Sequence, residues 1–136
     1  MVLSNTNYTT GLVAARGSLA VTVLGESQSG LLGPLGLHSG RDGDKLADLP
    51  HILTPAGDPV FPAGAAGWLD AEVLSATSLG DSTAFLAAVR SREDGSAPPL
   101  SWQAARGIVG EDFLRRWAEK SAREQAAARE AMHWRE

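Results

Sequence analysis

The fold of this chain is decided by residues 67–92, which read GWLDAEVLSATSLGDSTAFLAAVRSR. In an extended segment, successive side chains lie on opposite faces. Along Gly67–Ser78 this separates Trp68, Asp70 and Glu72 from Leu69, Ala71 and Val73, and along residues 82–92 it separates Phe85, Ala87 and Val89 from Ala84, Leu86 and Ala88. The connection Leu79-Gly80-Asp81 has the residue types of a tight turn. This part of the sequence therefore predicts a long antiparallel β-hairpin.

A helix and a strand are predicted before the hairpin. The helix covers Tyr8–Arg16, with Asn5 or Thr6 as its N-cap and Gly17 as its stop. Residues 18–24 (SLAVTVL) are apolar, rich in β-branched side chains and bounded by glycines, which is typical of a buried strand. The expected order is therefore helix, then strand.

The remaining elements are shorter or less regular. Residues 26–37 predict an irregular helix because Gly and Pro interrupt it, and residues 52–54 and 60–61 predict short extended pieces around a turn. After the hairpin, Ser101 caps a helix over residues 102–106, and a longer helix begins at Glu111-Asp112 and runs to about His133. The chain is thus predicted to be α+β, with five strands, which are few for a closed barrel, and a helical tail.

Composition excludes several classes of protein. A length of 136 residues fits one domain, and a net charge of −4 argues against nucleic acid as the main partner. The absence of cysteine excludes disulfides and thiolate chemistry, and the three histidines have no metal-ligand spacing. No apolar run reaches the length of a membrane-spanning helix, and the amino terminus does not read as a signal peptide. We therefore expect a cytoplasmic protein that binds no metal.

The candidate site lies in the glycine-rich stretch of residues 35–46, LGLHSGRDGDKL. Glycines let backbone N–H groups approach a ligand, and Arg41 and Lys45 add positive charge, a combination that suits a phosphate or another anion. The alternative is a solvated loop with a surface ion pair between Asp44 and Arg41. His38 either reaches the same ligand or is a local feature of a helix end.

Four segments together resemble the flavin reductase-like family, whose members form an FMN-binding split β-barrel. Residues 4–9 (SNTNYT) are similar to its flavin-contacting turn, and residues 17–24 (GSLAVTVL) to its glycine-plus-strand element. Residues 39–46 (SGRDGDKL) resemble its Asp-Lys-Phe loop, and residues 79–86 (LGDSTAFL) its Gly-Asp-His hairpin turn. The resemblance implies a split-barrel domain over residues 1–100, followed by a helical extension over residues 101–136.

The sequence departs from the family pattern in two ways. Family members carry earlier barrel strands that help to hold FMN, so the resemblance implies a domain truncated at its amino terminus. The histidine that follows Gly-Asp in the family is Ser82 here, and the family places that histidine near the nicotinamide and the flavin. The resemblance therefore leaves Ser82 as a doubtful catalytic residue.

The resemblance implies an NAD(P)H-dependent oxidoreductase that binds FMN, or FAD, as a homodimer and supplies reduced flavin to a monooxygenase. The cofactor-binding residues that it implies are Asn5, Thr6, Asn7, Ser39, Arg41 and Lys45. For Asn5, Thr6 and Asn7 the alternative role is a helix cap with local turn hydrogen bonds. The alternative function is a non-catalytic flavin-binding or dimerisation scaffold.

Overall fold

The computed structural model describes residues 1–132, which form an α+β fold. The helices are α1 (Tyr8–Arg16), a 3₁₀ helix (Glu26–Leu31), α2 (Leu32–Leu37), α3 (Trp102–Ile108) and α4 (Gly110–Glu130). The strands are β1 (Val2–Ser4), β2 (Ser18–Val23), β3 (Ile52–Leu53), β4 (Pro59–Val60), β5 (Gly67–Ser78) and β6 (Ser82–Asp94). No helix within these residues is long and apolar enough to cross a membrane.

The main sheet is antiparallel, with the strand order β1-β6-β5-β2, and it curls into a half-barrel. The β5–β6 hairpin has the predicted strands and runs from the pair Gly67↔Asp94 to the pair Ser78↔Thr83. Its register shifts twice, between Asp70 and Ala71 and between Val73 and Ser75. Because a bulge bends a strand and increases its twist, these shifts favour the curl of the sheet.

Strand β1 is the one strand in the described residues that we did not predict. It has three residues, too few for alternation to show in the sequence, and it pairs Val2 with Ala84 at the edge of the sheet. The short pair β3–β4 forms a separate two-stranded sheet. Its strands lie at the positions predicted for the extended pieces.

Helix α1 has the predicted bounds, but its predicted cap is wrong. Its N-cap is Asn7, not Asn5 or Thr6, and the Asn7 side chain makes no capping hydrogen bond. Instead, the Thr10 hydroxyl donates to the carbonyl oxygen of Ser4 at 2.6 Å, which ties the first turn to the end of β1. Gly17 ends the helix at φ 67°, as predicted, because glycine adopts this left-handed conformation without strain.

A small apolar core lies between α1 and the sheet. Its buried members are Val13 of α1, Leu19 of β2, Ala71 of β5 and Phe85 of β6. Partly buried apolar side chains surround them: Leu3, Val21, Leu69, Val73 and Ala87. The core therefore fixes α1 and β2, which form part of the candidate site, against the hairpin.

The carboxyl-terminal helices pack through aromatic rings. Ser101 caps α3 as predicted, since its Oγ accepts from the backbone N–H of Ala104 at 3.1 Å. The Trp117 ring of α4 lies 5.7 Å from that of Trp102 and 6.1 Å from that of Phe113, centre to centre. The predicted end of the tail helix at His133 lies outside the described residues.

Gly36 of α2 allows α4 to approach closely. A β-carbon built at Gly36 would lie 3.2 Å from Cζ3 of Trp117, which is tighter than ordinary van der Waals contact. Helix α4 therefore rests on α2 at a position where a larger side chain would push it away.

We expect Gly25→Ala to destabilise the fold. A β-carbon at Gly25 would overlap the carbonyl oxygen of Gly64 and lie 2.8 Å from Cβ of Ala97. Overpacking of this kind costs about 1–3 kcal/mol. Gly30→Ala is the matched control, because a β-carbon there meets nothing within 4 Å. Urea unfolding of both variants checks this; equal midpoints would contradict the close approach.

Candidate functional site

A cleft of about 820 Å³ opens between α1, β2, the loop after α2 and α4. Ligand pockets commonly have volumes of about 300–1,000 Å³, so this cleft has room for a nucleotide-sized molecule. Five of the six predicted cofactor-binding residues line it: Thr6, Asn7, Ser39, Arg41 and Lys45. His38 lies in the same wall.

Arg41 holds the glycine-rich loop against the start of α1. Its Nη1 donates to the carbonyl oxygen of Thr6 at 3.0 Å, and its guanidinium lies 5.5 Å from the centre of the Tyr8 ring. Next to it, a β-carbon at Gly40 would lie 2.8 Å from Cδ1 of Tyr8. Arg41 thus bonds to Thr6 rather than to Asp44, whose carboxylate accepts from the backbone N–H of Leu46 at 2.9 Å.

Ser39 shapes the turn that carries Arg41. Its Oγ accepts from the backbone N–H of Arg41 at 3.2 Å, and its carbonyl oxygen accepts from the backbone N–H of Asp42 at 3.1 Å. These two bonds fix the direction in which the loop leaves Ser39. The first of them uses the Ser39 hydroxyl as an acceptor, so its proton remains available for a ligand.

Lys45 closes the carboxyl end of α2. Its Nζ donates to the carbonyl oxygen of Leu35 at 2.8 Å and to that of His38 at 3.2 Å. Both are carbonyls at a helix end, which favours a cation. Partial burial, and then the positive charge of Lys120, lower the pKa of Lys45 below its ordinary value of 10.5.

Helix α4 adds a wall that we did not predict from the sequence. Trp117, Lys120 and Glu124 line the cleft, and their spacing of three and four residues places them on one helix face. Nζ of Lys120 donates to Oε1 of Glu124 at 2.6 Å and lies 5.9 Å from the centre of the Trp117 ring. The spacing was visible in the sequence, but nothing local indicated that this face meets the glycine-rich loop.

An ion pair lies at another part of the cleft wall. Nε of Arg16 donates to Oδ1 of Asp58 at 3.0 Å, and its Nη2 donates to the carbonyl oxygen of Ala56 at 2.6 Å. Asp58 is buried, and its Oδ2 has no hydrogen-bond partner among the described residues. Arg16 is therefore engaged with a carboxylate, whereas Arg41 and Lys45 bond only to carbonyl oxygens within residues 1–132.

The structure brings Asn5 and Ser82 to the hairpin turn, outside the cleft lining. Nδ2 of Asn5 donates to the carbonyl oxygen of Gly80 at 3.0 Å, and its Oδ1 accepts from the Thr83 hydroxyl at 2.7 Å. The Ser82 hydroxyl donates to Oδ1 of Asp81 at 2.9 Å. Asn5 therefore fixes the hairpin beside the segment that leads into α1.

The cleft has the chemistry of an anion site. In the part of the chain that the structure describes, no group of acidic and histidine side chains could hold a metal ion. The carboxylates of Asp44, Asp58 and Glu124 line the cleft, but each accepts a hydrogen bond from a protein group. The cations, hydroxyls and amides of the lining are donors for phosphate oxygens and for the carbonyl and hydroxyl groups of a nucleotide. On volume and donor set, the residues fit a flavin nucleotide.

The model of the flavin reductase like domain family matches residues 1–107. The chain belongs to this family. The resemblance seen in the four segments is thus confirmed, as is the α+β half-barrel. A search of curated proteins finds none that matches.

Solved structures of this fold are similar to the chain. An FMN-binding protein from Thermus thermophilus is 29% identical, with a TM-score of 0.62 over 69% of this chain and 53% of that chain. The NADH:FAD oxidoreductase SgcE6 of Streptomyces globisporus is 22% identical, with a TM-score of 0.63 over 69% and 56%. A nitrilotriacetate monooxygenase component B from Mycobacterium thermoresistibile is 20% identical, with a TM-score of 0.60 over 69% and 50%. The chain spans about half the length of these structures.

We expect Lys45 to titrate below 10.5, and Lys120→Gln to move its pKa back upward, because the charge of Lys120 is one of the two causes of the shift. NMR of the chain labelled with ¹⁵N-lysine measures this, since the sequence has only these two lysines. The native state binds this proton less tightly than the unfolded chain does. Unfolding free energy should therefore rise with pH between the native pKa and 10.5.

A Lys45 pKa that is unchanged in Lys120→Gln would show that the two ammonium groups do not interact. Arg116→Gln is the control, because it removes a charge from the same helix at a position outside the cleft lining.

Proposed function

We propose that this chain binds FMN, or FAD, in the cleft and reduces it with NAD(P)H as a flavin reductase-like oxidoreductase. The observation that carries the proposal is the cleft itself. It is lined both by the amino-terminal end of α1 and by the glycine-rich loop. The cations of this loop, Arg41 and Lys45, bond to no carboxylate within residues 1–132. Membership of the flavin reductase-like family makes a flavin the fitting anion.

The residues take different roles in this proposal. Arg41 and Lys45 bind the phosphate of the flavin or of the incoming nucleotide, because both are cations that line the cleft. Thr6, Asn7 and Ser39 donate to the ribityl chain or to the carbonyl edge of the flavin. Asn5 has an indirect role, because its amide holds the hairpin turn beside the segment that carries Thr6 and Asn7.

When bound, a flavin supplies a ring system that accepts a hydride from a reduced nicotinamide. The chain supplies position and charge. Arg41 joins the loop of residues 38–46 to the residues that lead into α1, which brings the donors of both elements to the same cleft. The α4 wall, with Trp117, covers one side of the cleft and limits the access of water.

Dimerisation and a monooxygenase partner complete the proposal. The long strands β5 and β6 expose apolar side chains, and Leu74, Leu86 and Val89 are 60%, 63% and 56% exposed. Such surfaces fit burial against a second copy of the chain. Reduced flavin is an electron source for oxygenases, so we propose delivery to a monooxygenase in the cytoplasm.

The first test is titration of the purified chain with FMN, followed by flavin fluorescence and by sedimentation. We expect saturable quenching at micromolar FMN and a dimer, followed by NADH oxidation. Arg41→Gln should weaken FMN binding about tenfold, because it removes a charged donor. Arg92→Gln is the matched control, since Arg92 lies on β6 outside the cleft lining. A folded chain that binds no flavin would contradict the proposal.

The second candidate is a non-catalytic flavin-binding or dimerisation scaffold. The observation that favours it is the hairpin turn, where a serine stands in place of the family's histidine and its hydroxyl bonds to Asp81. This scaffold would keep the cleft and the dimer without turnover.

Ser82→His separates the two candidates. If the turn approaches the nicotinamide, the variant should oxidise NADH faster than the parent, by about tenfold or more, as a positioned imidazole does in proton transfer. Ser82→Ala is the control for loss of the serine hydroxyl. FMN affinity measured in parallel shows whether the cleft is intact. An unchanged, measurable rate would place the turn away from the chemistry, whereas no NADH oxidation by parent or variant, with intact FMN binding, would favour the scaffold.

A further inference from the structure

Lys45 and Lys120 are the only lysines of this chain, and both line the same cleft. They lie 75 residues apart in the sequence, on the glycine-rich loop and on α4. The family model ends at residue 107, before α4 begins at Gly110. One of the two lysines therefore comes from a helix that the family match does not include.

Both ammonium groups keep donors for a ligand. An ammonium has three N–H donors. Lys45 gives two of them to the carbonyl oxygens of Leu35 and His38, and Lys120 gives one to Glu124. One donor remains on Lys45 and two on Lys120. Two charge centres with three available donors match the several oxygens of a phosphate group.

Positive charge exceeds negative charge in this part of the cleft. Glu124 offsets Lys120, and Asp44, whose carboxylate accepts from the backbone N–H of Leu46, offsets one further cation. Arg41 bonds to a carbonyl oxygen, and the pair Arg16–Asp58 is neutral as a unit. No carboxylate forms an ion pair with Lys45 within residues 1–132. Partial burial, and then the positive charge of Lys120, lower the pKa of Lys45.

Packing holds α4 against α2 and restricts the position of Lys120. The Trp117 ring packs where Gly36 leaves room, and Nζ of Lys120 lies 5.9 Å from the centre of that ring. The Lys120 side chain is 24% exposed, and its hydrogen bond to Glu124 restricts it further. A cation whose position is already restricted loses less entropy when it binds a ligand.

We propose that Lys45 and Lys120 together bind a phosphate group of a nucleotide, so that α4 is part of the binding site. This inference deepens the proposed function and rests on it. Two point charges suit a phosphate dianion, which accepts from several directions at once. The phosphate belongs either to the flavin or to the pyridine nucleotide, and the two sources are separable by experiment.

The experiment compares ligands with and without phosphate in matched variants of the full chain. FMN and riboflavin share one ring system and differ in the phosphate, and NADH is titrated separately. Lys120→Gln removes the charge, Lys120→Arg keeps it, and Arg116→Gln removes a charge elsewhere on α4. Circular dichroism establishes that each variant is folded.

If the flavin phosphate is the ligand, Lys120→Gln weakens FMN binding about tenfold and leaves riboflavin unchanged. Arg116→Gln then binds FMN as the parent does, and Lys120→Arg, which keeps the charge, loses less affinity than Lys120→Gln. If the pyridine nucleotide is the ligand, the loss appears with NADH and not with FMN. Unchanged affinity for both nucleotides would overturn the inference while the proposed function stands.

A last arm applies if the parent chain binds neither nucleotide, which would overturn the proposed function. Inorganic pyrophosphate is then added to the ¹⁵N-lysine-labelled chain. Two results support a two-lysine phosphate site. Both lysine signals shift in the parent, and the remaining Lys45 signal no longer shifts in Lys120→Gln. Signals that do not move would overturn the inference.

Discussion

Backbone hydrogen bonds between β5 and β6 hold the residues against which the other elements pack. β1 pairs with β6, β2 pairs with β5, and the core residues Ala71 and Phe85 come from the two hairpin strands. Because side chains alternate between faces, a slip of one residue in this ladder would turn the core face outward. The walls of the cleft that α1 and β2 provide therefore depend on the register of a hairpin that does not itself line the cleft.

The parts of the fold that follow from local rules could be predicted from the sequence. Alternation over Gly67–Ser78 needs no distant contact, and neither does the end of α1 at Gly17, where φ is 67°. The glycine-rich loop was recognised as a polar segment with two cations and two anions, and its cations Arg41 and Lys45 both line the cleft. In each case a few neighbouring residues carry the whole signal.

The parts that failed depend on contacts between distant residues. Asn5 reads as a helix cap, yet its amide bonds to Gly80 and Thr83, 75 and 78 residues away. Asparagine side chains serve a cap or a turn equally well, so local sequence could not decide between the two. The sequence predicts that Trp117 is a packing residue, and in the structure its ring packs against Gly36. This contact also places Lys120, one helical turn further on, at the cleft. The sequence shows the periodicity of that helix face but not which element packs against it.

Net charge and local charge lead to different conclusions about ligands. A net charge of −4 disfavours long phosphate backbones, which contact much of a protein surface. A small anion is affected mainly by charges within a Debye length, about 10 Å at 0.1 M salt. Within the cleft those charges include Arg41, Lys45 and Lys120, and the partial burial of Lys45 and Lys120 strengthens their interactions. A chain with a net negative charge can thus hold a nucleotide phosphate, provided that folding brings to one cleft lysines that lie far apart in the sequence.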